Sequence, residues 1–247
     1  MPISKEQRDS LATVAGETNT RGPRIDTLAI KWDGVNGELR KVASNGDLIP
    51  LKLPLELTFL KKRNVLKAYI NDVSHFTSEY EYTSTIINLF KYDNGKTTFV
   101  DAGTPPQLRA KYPELKGTIQ AYVLHEGDLC KIEIKGASLK SYLTFTDELD
   151  RGLKSFQYVT IVSGIGSGKK GAVSYKFMEF AHRDLEEAEF EEVKTRLDGI
   201  TKELYEVDKF YAEKNLTRGE APVVAAVPLS EEFDEVTEEI DPSDIPF

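Results

Sequence analysis

The chain has 247 residues, 40% of them hydrophobic, a formal net charge of −9, one cysteine and three histidines. That is enough apolar material for one large core with appendages. A lone Cys130 excludes an intramolecular disulfide, and His75, His125 and His182 lie too far apart to form a Cys/His zinc motif, so no metal and no cofactor are expected. No apolar run approaches the roughly 20 residues that cross a bilayer, and Met1 opens no charged-then-apolar leader, which makes a cytoplasmic protein the expectation.

Ser4 and Gln7 form a capping-box pattern, predicting a short helix over 5–15 in an N-terminal arm, 1–25. A β-rich body follows over 26–182. Its first strand is expected at Asp26–Asp33, and the alternation of Leu51, Leu53, Leu55, Leu57 and Phe59 predicts a second, on a sheet edge because of Pro54. Lys61, Lys62, Arg63 and Asn64 read as a turn leading into Val65–Asn71, which makes a hairpin with three positive charges at its tip. Further strands are expected within Glu79–Tyr92 and at Lys96–Asp101, joined by the Asp93-Asn94-Gly95 turn. Thr118–His125 and Leu129–Lys135 alternate around Glu126-Gly127-Asp128 and predict another hairpin.

Ala137–Asp150 is compatible with helix, and strands at Ser155–Val162 and Ala172–Phe180 flank a glycine-rich loop. With Lys96–Asp101 set aside, three strands, a helix and two strands run from 79 to 180, the order of an OB-fold barrel. The fold class expected is therefore mainly β with appended α: an OB-fold-like barrel with extra N-terminal strands and a long C-terminal helix. That helix is expected over 183–215, where Phe190, Val193, Leu197, Ile200, Leu204, Val207 and Tyr211 are spaced 3, 4, 3, 4, 3, 4. Such a seam packs either on a second subunit, giving a homodimer through 190–211, or on the chain's own body.

Residues 216–247 form a linker and an acidic tail. From 219 to 247 there are nine acids and no base, and 184–218 holds eleven acids and six bases, so residues 1–183 carry 26 bases against 21 acids. The global charge therefore hides a front part of +5. The tail ends Asp241-Pro242-Ser243-Asp244-Ile245-Pro246-Phe247, three apolar residues behind a run of acids. This end resembles that of bacterial and phage single-stranded DNA-binding proteins, whose acidic tails finish in an Asp-Ile-Pro-Phe-like sequence. The resemblance covers about the last tenth of the chain, and Pro242-Ser243 departs from the aspartate runs usual there. It implies an ssDNA-binding body, in a bacterial cell or phage-infected host, whose Asp241, Asp244, Ile245, Pro246 and Phe247 dock replication, repair or recombination proteins.

Non-specific binding of a single strand needs cations along the phosphates and aromatic faces under the bases. The stacking candidates are Trp32, Tyr80, Tyr82 and Tyr122, amphipathic rings whose tyrosines alternate with polar residues. For phosphates the candidates are Lys61, Lys62, Arg63, Lys67, Lys91, Lys169 and Lys170. Ser163-Gly164-Ile165-Gly166-Ser167-Gly168-Lys169-Lys170 is not a nucleotide-binding P-loop: it lacks the first glycine, the Ser or Thr after the lysine, and the following helix. No catalytic constellation emerges. The expected function is protection of single-stranded DNA without strong sequence preference, with recruitment of partners by the tail. The alternatives are strand annealing or recombination mediation, or a non-DNA adaptor that competes for the pocket such tails occupy.

Overall fold

Eleven strands and three helices lie within residues 25–149 and 152–216, the parts of the chain that the computed structural model describes. In order they are β1 (Leu28–Asp33), β2 (Glu38–Val42), β3 (Leu48–Leu51), β4 (Leu55–Ile70), β5 (Val73–Thr77), β6 (Ile87–Asp93), β7 (Lys96–Gly103), α1 (Pro105–Lys111), β8 (Lys116–His125), β9 (Asp128–Lys135), α2 (Gly136–Asp147), β10 (Tyr158–Lys170), β11 (Val173–Asp184) and α3 (Glu187–Leu216). The protein is mainly β, with a long helix after the last strand. It divides into two compact units, the larger containing Asp26–Ile200; the smaller is described here at Ile25 and Thr201–Leu216. The expected N-terminal helix, the linker and the acidic tail lie outside the described residues.

The hairpins announced by turn residues are present. Asn94 and Gly95 between β6 and β7, and Glu126 and Gly127 between β8 and β9, all have φ between 48° and 79°. Two successive left-handed residues make the turn whose twist matches the strands it joins. Around β4 two expectations fail. Residues 51–60 are not one strand, because β3 ends at Leu51 and β4 starts after Pro54, which has no N–H for a ladder. Nor is there a hairpin at 61–64: β4 runs unbroken for 16 residues, with Thr58–Lys67 paired to β8 and only a bulge between Phe59 and Lys61. The charges at 61–63 are mid-strand, and alternation sends them to opposite faces of the sheet.

The main sheet has the order β3-β2-β1-β9-β8-β4-β5-β6-β7, and the β10–β11 hairpin joins it where Thr160–Val162 pair with Leu55–Leu57 of β4. The expected closed barrel is not formed. The sheet is open, since β3 and β7 end it and β11 pairs only with β10; a single backbone bond, Lys176 N to Gly34 O at 2.9 Å, ties the hairpin to the turn after β1. The core lies between β1, β2, β4, β8, β9, β10, β11 and α2, with Phe59, Ala121, Val123, Ile132, Ile134 and Tyr142 fully buried or nearly so. Tyr142 stacks on Phe59 at 5.5 Å and meets Phe180 edge-on at 5.3 Å, which seats α2 against the sheet. Cys130 is in this core, and burial pushes its thiol up to about 11.

The heptad stripe of α3 is buried at some of its positions and open at others. Val193, Ile200 and Leu204 are buried, while Phe190, the first knob of the expected dimer seam, is 52% exposed with Lys194 over its ring. Spacing alone cannot separate a coiled-coil seam from an amphipathic helix on its own protein. The start of α3 is tied to the sheet by Arg183, whose guanidinium donates to Glu56 at 2.7 and 3.1 Å and to Glu189 at 2.8 and 2.9 Å. Arg183 holds both carboxyls below their ordinary value of 4.5. A carboxyl with a depressed folded pKa adds stability that is complete above its unfolded value and disappears as pH falls through the folded one. Arg183→Gln is expected to lower Tm by about 2–4 °C at neutral pH, about 1 kcal/mol for a partly exposed network, and by progressively less below pH ~4. Thermal melts of both proteins across acid pH check this.

Candidate nucleic-acid interface

The glycine-rich segment is strand, not loop: it belongs to β10, paired to β11 as far as the turn at Gly171. The register sets Gly164 opposite Glu179, Gly166 opposite Phe177 and Gly168 opposite Tyr175. A methyl group added at Gly168 would lie 2.5 Å from the Tyr175 ring, and one at Gly166 closer still to the ring of Phe177. Both rings therefore lie across bare backbone. Glycine weakens a strand, and an aromatic laid over it from the neighbouring strand restores the lost packing.

This face of the hairpin borders a cavity of about 760 Å³. Lys140, Ser141 and Thr144 of α2 line one side, Tyr175, Phe177 and Glu179 the other, and Lys169 and Lys170 stand at the hairpin tip. Phe145 and Phe180, with ring centres 6.1 Å apart and planes 29° from parallel, join the cavity to the core. Three lysines face two glutamates, Glu148 and Glu179, so the lining is locally cationic. Partly exposed rings beside lysines are the two elements that bind a single strand without reading its sequence.

The structure separates the predicted site residues. Lys169 and Lys170 belong to this cavity. Tyr80 and Tyr122 were expected on a solvent-facing surface and are buried, 5% and 4% exposed. Tyr80 sits in a second core with Leu66, Ile87, Leu89, Leu108 and Leu115. Tyr122 is covered by Lys131, 5.0 Å from its ring centre, and its hydroxyl donates to Glu79 at 2.9 Å. Trp32 packs against the main core, and of the four chosen rings Tyr82 alone is well exposed, at 62%. Lys61 lies opposite Tyr122 on β4; Lys62 stands 5.5 Å over the Tyr142 ring; Arg63 is buried beside Glu81; Lys67 is paired with Glu133. Lys91 is exposed on β6, in register with His75 and Thr98. Asp241, Asp244, Ile245, Pro246 and Phe247 lie outside the described residues.

Sequence reasoning missed Tyr175, Phe177 and Lys140. The signal for the two rings was present, because folding the chain about Gly171 sets Gly-x-Gly-x-Gly against Tyr-x-Phe-x-Glu at matching alternation. A second aromatic surface was also missed. Tyr69, Phe76, Phe90, Tyr92 and Phe99 share one face of β4 to β7, with Phe90 packed 5.8 Å from Phe76 and 6.3 Å from Phe99, and Tyr69 71% exposed. Among the described residues no cluster of His, Cys, Asp or Glu is arranged to hold a metal ion, and no helix is long and apolar enough to cross a membrane. Comparison of the chain with protein-family models, with curated proteins and with solved structures found no match.

Proposed function

We propose that this protein binds single-stranded DNA without strong sequence preference through its β body, and recruits replication or recombination proteins through residues 229–247. The observation that carries the reading is the β10–β11 face, where Tyr175 and Phe177 lie over glycines beside Lys140, Lys169 and Lys170. Stacked bases gain about 1–3 kcal/mol each on such rings, and lysines follow the phosphates. Strand order adds support. β4, β8, β9, α2, β10 and β11 run in the order of an OB-fold, and the return of β10 onto β4 matches its pairing of first and fourth strands. On this reading β5 to β7 and α1 are an insertion after the first barrel strand, and β1, parallel to β9, stands beside the third strand where a fifth would close the barrel. The front part's charge of +5 and the tail's resemblance point the same way.

The test is a fluorescence-anisotropy titration with labelled oligo-dT over a range of salt. Saturable binding that weakens linearly in log salt is expected, with a slope of about 0.7 per phosphate neutralised. Failure of both the full chain and a form ending at residue 228 to bind at low salt would reject the reading.

A further inference from the structure

Resting on that reading, we propose that the outer face of β4, β8 and β9 is a second track for the DNA backbone, and that Glu79 and Glu81 occupy the phosphate positions on it until DNA displaces them. Beyond the bulge, Lys61, Arg63 and Lys67 share one face of β4, and register places Tyr122 and Lys131 beside Lys61, and Gln120 and Glu133 beside Arg63. The neighbours Ala121, Ile132, Val123 and Cys130 point to the core instead, all fully buried. Four cations thus line one surface: Lys61, Arg63, Lys67 and Lys131.

Three of the four have carboxylate neighbours of two kinds. Glu133, paired with Lys67 and 3.3 Å from Gln120, belongs to the sheet itself. Glu79 and Glu81 come from outside it, on the irregular segment between β5 and β6. Glu79 pairs with Lys131 and accepts from Tyr122, and Glu81 stands 3.7 Å from Arg63 while remaining 44% exposed. The segment is attached through Tyr80, whose ring is buried and whose backbone exchanges bonds of 2.8 and 3.0 Å with Asn64. Buried Tyr80 is a fixed pin, and the carboxylates on either side of it reach the cations by side-chain rotation.

Lysine ammonium, arginine guanidinium and tyrosine hydroxyl donors suit a phosphodiester oxygen as well as a carboxylate. Ordinary surface ion pairs would make the opposite forecast, since losing them costs a little stability and leaves ligand affinity alone.

The experiment is oligo-dT anisotropy with the full-length Glu79→Gln, Glu81→Gln variant, in which the amide oxygen introduced at position 79 still accepts from Tyr122. Affinity is expected to rise about 3- to 10-fold at low salt, and the log–log salt slope to steepen by about 0.7 for each cation released to a phosphate. Lys131→Ala added to the variant should remove the gain. A matched control, Asp72→Asn with Asp93→Asn, deletes two exposed charges away from this face; an equal gain there would reduce the effect to net charge and overturn the proposal. Unchanged affinity and slope in a folded double glutamine variant would also overturn it, leaving the single-strand reading intact. Absence of oligo-dT binding by every protein in the series would overturn both.

Discussion

Leucine in place of Tyr175 or Phe177 is expected to weaken oligo-dT binding by at least about fivefold for each ring, with the melting temperature nearly unchanged. Leucine keeps apolar cover over Gly168 and Gly166 but has no flat face, so it removes the stack and spares most of the packing. At about 1–3 kcal/mol per stacked base, each loss spans roughly 5- to 150-fold. Tyr175→Phe should bind like the parent, because the ring and not the hydroxyl carries the contact. Gly166→Ala is a sharper test, since it alters nothing that touches DNA. The residue does not have a positive φ, so alanine suits the backbone, but its methyl group would enter the space of the Phe177 ring and lift it off the strand. Affinity should therefore fall with Gly166→Ala as well. Parent-like binding by both leucine variants would move the interface away from this hairpin.

The role of Lys169 and Lys170 is separable from that of the rings by salt. Neutralising a phosphate-contacting lysine reduces the slope of log affinity against log salt, whereas removing a stack lowers affinity at every salt concentration alike. The cavity under the rings adds a geometric limit. Lys140 comes from α2 and Lys169 and Lys170 from the hairpin tip, all lining the same opening, so on the proposed reading one strand meets both by crossing it. On the proposed reading a single strand suits this opening better than a duplex, because its unpaired bases are free to reach the rings.

What could be read from sequence followed from local rules. Asn-Gly and Glu-Gly turns, the alternation of Thr118–His125 and Leu129–Lys135, and the helix after Gly136 depend on neighbours in the chain, and the structure has each of them. Failures came where a distant segment decided the outcome. Tyr122 alternates with polar residues as a surface tyrosine should, yet Glu79, 43 residues away, covers it. Alternation says which face a side chain takes and is silent on what lies over that face. Lys61, Lys62 and Arg63 resemble a turn because three adjacent cations are unusual mid-strand. They persist in β4 because Lys61 and Arg63 go to the outer face while Lys62 sets its ammonium over the Tyr142 ring. The glycines of β10 invited the reading of a flexible loop for the same reason: the rings that cover them arrive from β11.

Deletion of residues 229–247 is expected to tighten oligo-dT binding severalfold at low salt, whereas removing Phe247 alone should leave it nearly unchanged and abolish capture of partner proteins. The segment carries eight acids and no base, so its loss takes the formal charge from −9 to −1. Tethered through a linker of small residues and prolines, those acids compete with phosphates at an effective concentration in the millimolar range. Their influence is screened as the Debye length shrinks from about 10 Å at 0.1 M salt to 3 Å at 1 M, so the advantage of the shortened form should vanish as salt rises. Phe247 contributes no side-chain charge to that competition; its proposed role is that of an apolar anchor on a partner, where one buried ring can decide the affinity. The tail and the Glu79–Glu81 pair are separable as well. If they screen different cations, the gain from deleting 229–247 should multiply the gain from the glutamine pair, whereas two competitors for the same lysines would give a combined effect no larger than the greater of the two. Equal oligo-dT affinity with and without 229–247 at low salt, or equal partner pull-down with and without Phe247, would each refute the corresponding half of this expectation.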